Sequence, residues 1–299
     1  MTETDLFGNS IEVPTGRIKE KYGVSPFSVL PACSPSWKKR KRELLSLGIR
    51  GEATRENAKT KLENLHKMCG MSGISTFDPV LCEVMYRWYC PVGGKVLDPF
   101  AGGSVRGIIA ALMGLQYVGI EIREEQVKAN EEDSENILND CPIKPQWIVG
   151  DSRIVLPSLK DSFDLIFTCP PYWNLEKYSK LEGDLSNMRW SDFSDAYRDI
   201  IAKSCALLKN GGLAIFVVGE VRGRDHYYKG LIPCTINAMM SCGMGYYNEA
   251  IYYMPNGSAA MRADCSMKYG KLVKVHQNIL MFQMPDRGDK RKYNKKVLI

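Results

Sequence analysis

The chain has 299 residues, 44% of them hydrophobic and 25% charged, enough to bury a substantial core as one large α/β domain or two modest ones. Its formal net charge of +6 permits a polyanionic partner without demanding one. Leu213 to Val218, as long as any wholly apolar run in the chain, is far too short to cross a bilayer. The opening residues MTETDLFGNS place acids where a secretory leader has a basic start and an apolar stretch, so the expected location is the cytoplasm, with no membrane partner. The ten cysteines contain no C-x-x-C pair, and His66, His226 and His276 lie far apart. That leaves reduced thiols as the reading and no metal site.

Residues 1–75 read as an irregular basic extension. Val24-Ser25-Pro26-Phe27 and Pro31-Ala32-Cys33-Ser34-Pro35 punctuate its first half. Trp37 then precedes five consecutive cations, Lys38, Lys39, Arg40, Lys41 and Arg42, read together as an arm contacting nucleic-acid phosphates. Residues 52–68 are polar and lean helical, and Gly70 and Gly73 close the segment.

From Phe77 the pattern becomes regular. Asp78 as N-cap with Pro79 at the first helical position opens a helix carrying Val80, Leu81, Val84, Met85 and Trp88 at helical spacing. A strand at 95–97 ends at Asp98. A helix of small and apolar residues spans 105–114, and a strand at 117–120 ends at Glu121. A charged helix over 124–138, a strand at 146–149 ending at Gly150-Asp151, and a strand at 163–167 ending at Cys169-Pro170-Pro171-Tyr172 follow. Ser191 is a plausible cap for a helix carrying Phe193, Tyr197, Ile200, Ile201 and Leu208. Asn210-Gly211-Gly212 stops it before a buried strand at 213–218. Strands alternating with helices in this way predict a doubly wound, Rossmann-like parallel sheet over 76–285. Ligands bind outside the carboxyl ends of such strands, so Asp98, Glu121, Asp151 and Cys169 are expected on one rim. Residues 286–299 read as a basic tail, either a phosphate-contacting arm or a solubilising run.

The turn Asp98-Pro99-Phe100-Ala101-Gly102-Gly103-Ser104 is open to two ligand classes. A dinucleotide site would set a pyrophosphate on the helix N-terminus, where Asp98 would repel it. S-adenosylmethionine has no phosphate, and its α-ammonium suits a carboxylate. Gly102 and Gly103 leave room for a ligand against the backbone, and Glu121 is suited to the ribose hydroxyls. Asp151 is either a partner for the adenine amino group or a turn residue, and Phe100 either packs on the cofactor or joins the core. At the later turn, Pro170 and Pro171 fix the backbone and donate nothing, so carbonyls there can be held towards an exocyclic amine. Tyr172 offers a flat face to a base rotated out of its duplex. Trp173 either extends that platform or is a core aromatic. Cys169 is read as structural rather than as a nucleophile for ring-carbon chemistry, since nothing nearby in sequence supplies the base or acid such chemistry needs.

These motifs resemble those of the N6-adenine/N4-cytosine DNA methyltransferase family, most closely the versions encoded by bacteriophages and prophages. Asp98, Pro99, Phe100 and Gly102 match its Asp-Pro-Phe-x-Gly cofactor motif. Pro170, Pro171 and Tyr172 match the end of its catalytic motif, where Cys169 replaces the usual Asp, Asn or Ser. The helix beginning near Phe77 resembles the family's additional cofactor-contacting element. The resemblance implies an S-adenosylmethionine-dependent, site-specific methyltransferase acting on N6 of adenine or N4 of cytosine. It makes double-stranded DNA the expected partner. A homodimer is compatible with the chain, and no recognition sequence or cognate nuclease is legible. Residues 174–189 and 222–275, the latter interleaving tyrosines with Arg222, Arg224, Lys229, Arg262, Lys268, Lys271 and Lys274, are the candidate target-recognition segments. Methylation of RNA or of a protein amide, and a DNA-binding pseudoenzyme of the same fold, are the competing readings.

Overall fold

The computed structural model describes residues 3–4, 10–11, 23–49, 76–175, 177–255 and 258–285. Two short strands, β1 (Glu3–Thr4) and β2 (Ser10–Ile11), pair with each other. Strand β3 (Val29–Pro31) and helix α1 (Pro35–Leu45) come next, Ser34 capping the helix through its side chain. Helix α2 (Pro79–Tyr89) begins at the expected cap, with Asp78 accepting from the backbone N–H groups of Val80 and Leu81. Then follow β4 (Lys95–Asp98), α3 (Val105–Leu112), β5 (Gln116–Glu121), α4 (Glu124–Ile137) and β6 (Gln146–Val149). A single turn, α5 (Ser152–Val155), precedes β7 (Phe163–Thr168), α6 (Trp190–Ala206) and β8 (Leu208–Val218). Helix α7 (Leu231–Ser241), β9 (Gly245–Tyr253), α8 (Ser258–Met267) and β10 (His276–Gln283) complete the order.

Strands β3 to β10 form one sheet in the order β3-β9-β10-β8-β7-β4-β5-β6. All neighbours are parallel except β10, which runs antiparallel to both β8 and β9. The expected α/β class is therefore the observed one. Period-two alternation sorts the side chains into two cores. Val96, Leu165, Phe167, Ile215 and Val217 meet α1 to α4 on one face. Leu97, Ile166, Ala214 and Phe216 meet α6 and α7 on the other. Strand order reverses at β4, which has β5 on one side and β7 on the other. A crevice opens at such a switch point, beyond the strands' carboxyl ends.

Three expectations change. Residues 23–49 are no irregular extension, because β3 adds an edge strand beside β9 and α1 buries Trp37 and Leu44 in the core. The 213–218 strand starts at Leu208, so Leu208 belongs to β8 and not to the helix before it, and Gly211-Gly212 lie within the strand. Helix α6 has Arg189 at its N-cap, while Ser191 bonds Asp192. The helical reading of 52–68, Gly70 and Gly73, and the 286–299 tail lie outside the described residues. No helix among the described residues is long and apolar enough to cross a membrane.

Candidate active site

A cavity of about 370 Å³ opens beyond the carboxyl ends of β4, β5, β6 and β7. It brings together Phe77, Phe100, Gly102, Gly103, Glu121 and Asp151 from the expected cofactor side and Cys169, Pro170, Pro171 and Tyr172 from the expected reacting side. Asp98 is not among its lining residues, and its carboxylate is wholly buried. Oδ1 accepts from Thr168 Oγ1 at 2.6 Å and from the Phe100 N–H at 3.2 Å. Oδ2 accepts from Arg106 Nε at 2.5 Å and Tyr117 Oη at 2.7 Å. With both oxygens engaged, the expected bond to a cofactor ammonium is replaced by a structural role: Asp98 ties β4 to β5, β7 and α3.

Arg106 is the centre of that arrangement. Its Nη2 donates to the Phe100 and Ala101 carbonyls, each at 2.8 Å, and its guanidinium carbon lies 4.6 Å from the Phe77 ring centre. Burial would lower its pKa, but Asp98 more than offsets this and the value is raised. The guanidinium thus holds the turn around Gly102, which sits at φ +52°, a left-handed conformation that glycine adopts without a Cβ penalty. Glu121 holds the same turn from β5. One oxygen accepts the Gly102 N–H at 3.0 Å, and the other accepts the N–H and Nε of Arg123, both at 3.0 Å. Asp151 caps α5 and pairs with Arg153 at 2.5 Å while lining the cavity. Cap and cavity wall are compatible roles, so both readings of this residue survive. Phe100 likewise serves both, facing the cavity and packing 5.9 Å from Tyr197.

On the reacting side, the Tyr172 hydroxyl donates to the Val217 carbonyl at 3.4 Å, accepts from Gln277 Nε2 at 2.6 Å and lies 3.6 Å from Cys169 Sγ. Burial, reinforced by Cys169, raises the phenol well above its usual pKa, so it stays protonated. Gly219 lies beside the ring, where a Cβ would come within 3.4 Å of Tyr172 Cε2. The ring is thus fixed by β8 and β10 as well as by its own turn. Trp173 does not line the cavity; it bonds the Met188 carbonyl at 2.9 Å and meets Trp190 edge-on at 5.7 Å. Of its two readings, core aromatic is the one observed. Replacing Gln277 with leucine should lower methyl transfer about tenfold, the equivalent of one hydrogen bond of about 1.4 kcal/mol, with cofactor affinity unchanged. Parallel titration calorimetry and methyl-transfer assays check this.

Part of the 174–189 segment folds over the cavity. Tyr178, Gly183, Asp184 and Leu185 line it, and Asp184 braces the loop by accepting from the N–H and hydroxyl groups of Ser179 and Ser186. The 222–275 candidate recognition segment folds in part as α7, β9 and α8. Tyr252 is buried and donates to Asp78 Oδ2 at 2.7 Å, and Tyr246 stacks on Phe282 at 5.2 Å. Tyr227 and Tyr228 are exposed, as are Arg262 and Lys268. The expected phosphate arm divides as well. Trp37 is 3% exposed and donates to Asp78 Oδ1 at 3.3 Å, so it is a core residue and not a nucleic-acid contact. Arg40 makes a bidentate pair with Glu83 at 2.8 and 2.7 Å. Lys41 pairs with Asp78 at 2.9 Å and lines the cavity. Lys38, Lys39 and Arg42 are exposed along α1.

Sequence reasoning missed Arg106 and Gln277, and it placed Lys41 on a phosphate arm and Tyr252 in a target-recognition segment rather than at the cavity. Only Arg106 left a signal, as a lone cation inside an otherwise small and apolar helix.

Residues 37–132 match a family model of N6/N4 methyltransferases described as "DNA methylase". Over that span the chain is similar to the N6-adenine/N4-cytosine DNA methylase family. The match takes in α1, α2, the Asp98–Ser104 turn and Glu121, and the methylase resemblance inferred from the motifs holds there. S-adenosylmethionine is the cofactor that goes with this methylase family, and the donor set around the cavity suits it. No curated protein sequence matches the chain. Among solved structures it is similar to a putative RNA methyltransferase from Pyrococcus horikoshii, with 15% identity, 84% of this chain and 98% of that one covered, and TM-score 0.49. It is similar too to a methyltransferase from Pyrococcus furiosus, with 13% identity, 83% and 96% covered, and TM-score 0.48. TrmN from Thermus thermophilus shares 17% identity over 70% of this chain, which spans about half (49%) of that protein, at TM-score 0.47. Likenesses this distant decide no substrate.

Proposed function

We propose that this methylase transfers a methyl group to the exocyclic amine of a base in DNA, N6 of adenine or N4 of cytosine. The observation that carries the reading is the meeting of two turns in one cavity: the Gly102-Gly103 turn after β4 and the Cys169–Tyr172 turn after β7, its neighbouring parallel strand. A cavity of about 370 Å³ lies within the roughly 300–1,000 Å³ range of small-ligand sites.

Gly102 and Gly103 let the cofactor lie against the backbone, Glu121 and Asp151 serve its adenosine end, and Phe77 and Phe100 supply apolar walls. S-adenosylmethionine supplies, when bound, an electrophilic methyl on a sulfonium. The amine nitrogen forms the new C–N bond as the C–S bond breaks, leaving a neutral thioether, and the nitrogen then gives up one proton to water. That nitrogen is a poor nucleophile while its lone pair is delocalised into the ring, and preorganised acceptors at its N–H bonds favour the tetrahedral form that reacts. Pro170 and Pro171 bring carbonyls and no N–H donors to this turn. Tyr172, fixed through its hydroxyl, presents the ring on which a flipped base stacks. The exposed cations of α1, with Arg262 and Lys268, suit the strands of the duplex, and the family match on residues 37–132 supports DNA over other acceptors.

The test is transfer of labelled methyl groups to duplex DNA, to RNA and to protein, followed by nucleoside mass spectrometry. The expected products are N6-methyladenine or N4-methylcytosine from DNA. Cys169→Ser should keep or raise the rate, because a hydroxyl accepts hydrogen bonds better than a thiol. An inactive Cys169→Ser variant together with a wild-type product of 5-methylcytosine would identify the sulfur as a nucleophile and overturn the reading. Cofactor binding with no transfer to any acceptor would mark a pseudoenzyme.

A further inference from the structure

Lys41 reaches the cavity from α1, a helix that precedes the cofactor and catalytic turns in the chain. Trp37 anchors that helix, buried 5.9 Å from Tyr252 and bonded to Asp78 Oδ1. Lys41 lies one helical turn further along the same face, and its ammonium is 2.9 Å from Asp78 Oδ2. Asp78 is itself immobilised. It caps α2 through Val80 and Leu81 and accepts from Tyr252 Oη at 2.7 Å. The lysine is thereby held beside Thr76 and Phe77, which also line the cavity. An ammonium has three N–H donors, and Asp78 Oδ2 takes one of them.

Two other cations line the cavity, Arg106 and Arg123, with side chains 6% and 3% exposed. Arg106 is engaged by Asp98 and two carbonyls, and Arg123 by Glu121 and Gln126. The Lys41 side chain keeps 36% exposure, making it the most accessible of the three. The acids suited to the adenosine end, Glu121 and Asp151, come from β5 and the β6–α5 turn, whereas Lys41, Thr76 and Phe77 come from α1 and the segment entering α2. The amino-acid end of the cofactor carries an α-carboxylate, and a carboxylate leaving water needs a charge-assisted donor.

We propose that Lys41 binds the α-carboxylate of S-adenosylmethionine, with Asp78 and Trp37 as the residues that position it. This rests on the methyltransferase reading above. It moves recognition of the amino-acid end from the Asp98 turn to α1.

The experiment is titration calorimetry on the full chain with two ligands that differ only in the carboxylate: S-adenosylmethionine and its decarboxylated analogue. Lys41→Met should weaken S-adenosylmethionine about ten- to a hundredfold, the range for a hydrogen bond to a charged group. It should leave the analogue within about twofold of wild type. Lys41→Gln, which keeps a donor for Asp78, should reproduce this selective loss, and Lys41→Arg should restore most of the affinity. Equal losses for both ligands would assign Lys41 a structural role and overturn the proposal. Unchanged S-adenosylmethionine affinity with weakened DNA binding would overturn it too, assigning the lysine to a phosphate. Wild-type protein that binds neither ligand would overturn the methyltransferase reading, and this inference with it.

Discussion

Tyr172→Ala should lower methyl transfer roughly 10²- to 10³-fold while leaving S-adenosylmethionine affinity within about twofold. Base–aromatic stacking is worth roughly 1–3 kcal/mol by alanine substitution, which alone accounts for about ten- to a hundredfold. Misplacing the amine relative to the methyl group adds to the loss, since a shift of about 1 Å can cost 10²-fold. The structure gives the experiment an internal control. The hydroxyl is held by Gln277 and Val217, so Tyr172→Phe keeps the ring but removes its anchor, and the expected loss is about tenfold. Single-turnover transfer to duplex DNA, with calorimetric cofactor binding in parallel, separates the ring from its anchor. Activity of Tyr172→Ala within about threefold of wild type would remove the stacking role.

Asp98→Ala should destabilise the fold by about 3–5 kcal/mol, the cost of leaving one partner of a buried ion pair uncompensated. The stranded partner is the guanidinium of Arg106, a residue 5% exposed whose Nε lies 2.5 Å from Asp98. Tyr117 and Thr168 would lose their acceptor at the same time. The double variant Asp98→Leu/Arg106→Leu should recover part of that stability, because a buried pair replaced as a unit leaves no orphaned charge. Urea unfolding of the single and double variants measures the coupling. Asp98→Ala with wild-type stability but no cofactor binding would return the residue to the ligand role suggested by its place in the sequence.

Local chemistry decided much of this protein in advance. Asp78-Pro79 opens α2 because a capping carboxylate and a proline at the first helical position act within one turn. Strands β4 to β7 fall where apolar runs meet Gly and Pro punctuation, and the parallel class follows from their alternation with helices. The cavity's two defining turns were legible for the same reason, since each is a contiguous stretch whose residue types suit one ligand group. Contiguity was also where the reading failed. Trp37 to Arg42 looks like a solvated cationic arm in one dimension, but a helix turns every 3.6 residues. One face of α1 therefore enters the core at Trp37 and the cavity at Lys41, while Lys38, Lys39 and Arg42 remain exposed.

The role of Asp98 was decided by tertiary structure. A carboxylate after a strand suits an ammonium equally well whether that ammonium is a ligand's or the guanidinium is the chain's own. Only the packing of α3 and β5 brings Arg106 and Tyr117 to it and consumes its acceptors. Gln277 lies 105 residues from Tyr172 and meets it because β10 inserts antiparallel between β8 and β9. The sequence by itself determined the chemistry on offer at each strand end. The tertiary structure decided which groups are spent on one another and which still face the cavity, because a buried polar group must find a partner and long-range pairing supplies partners that local sequence does not contain.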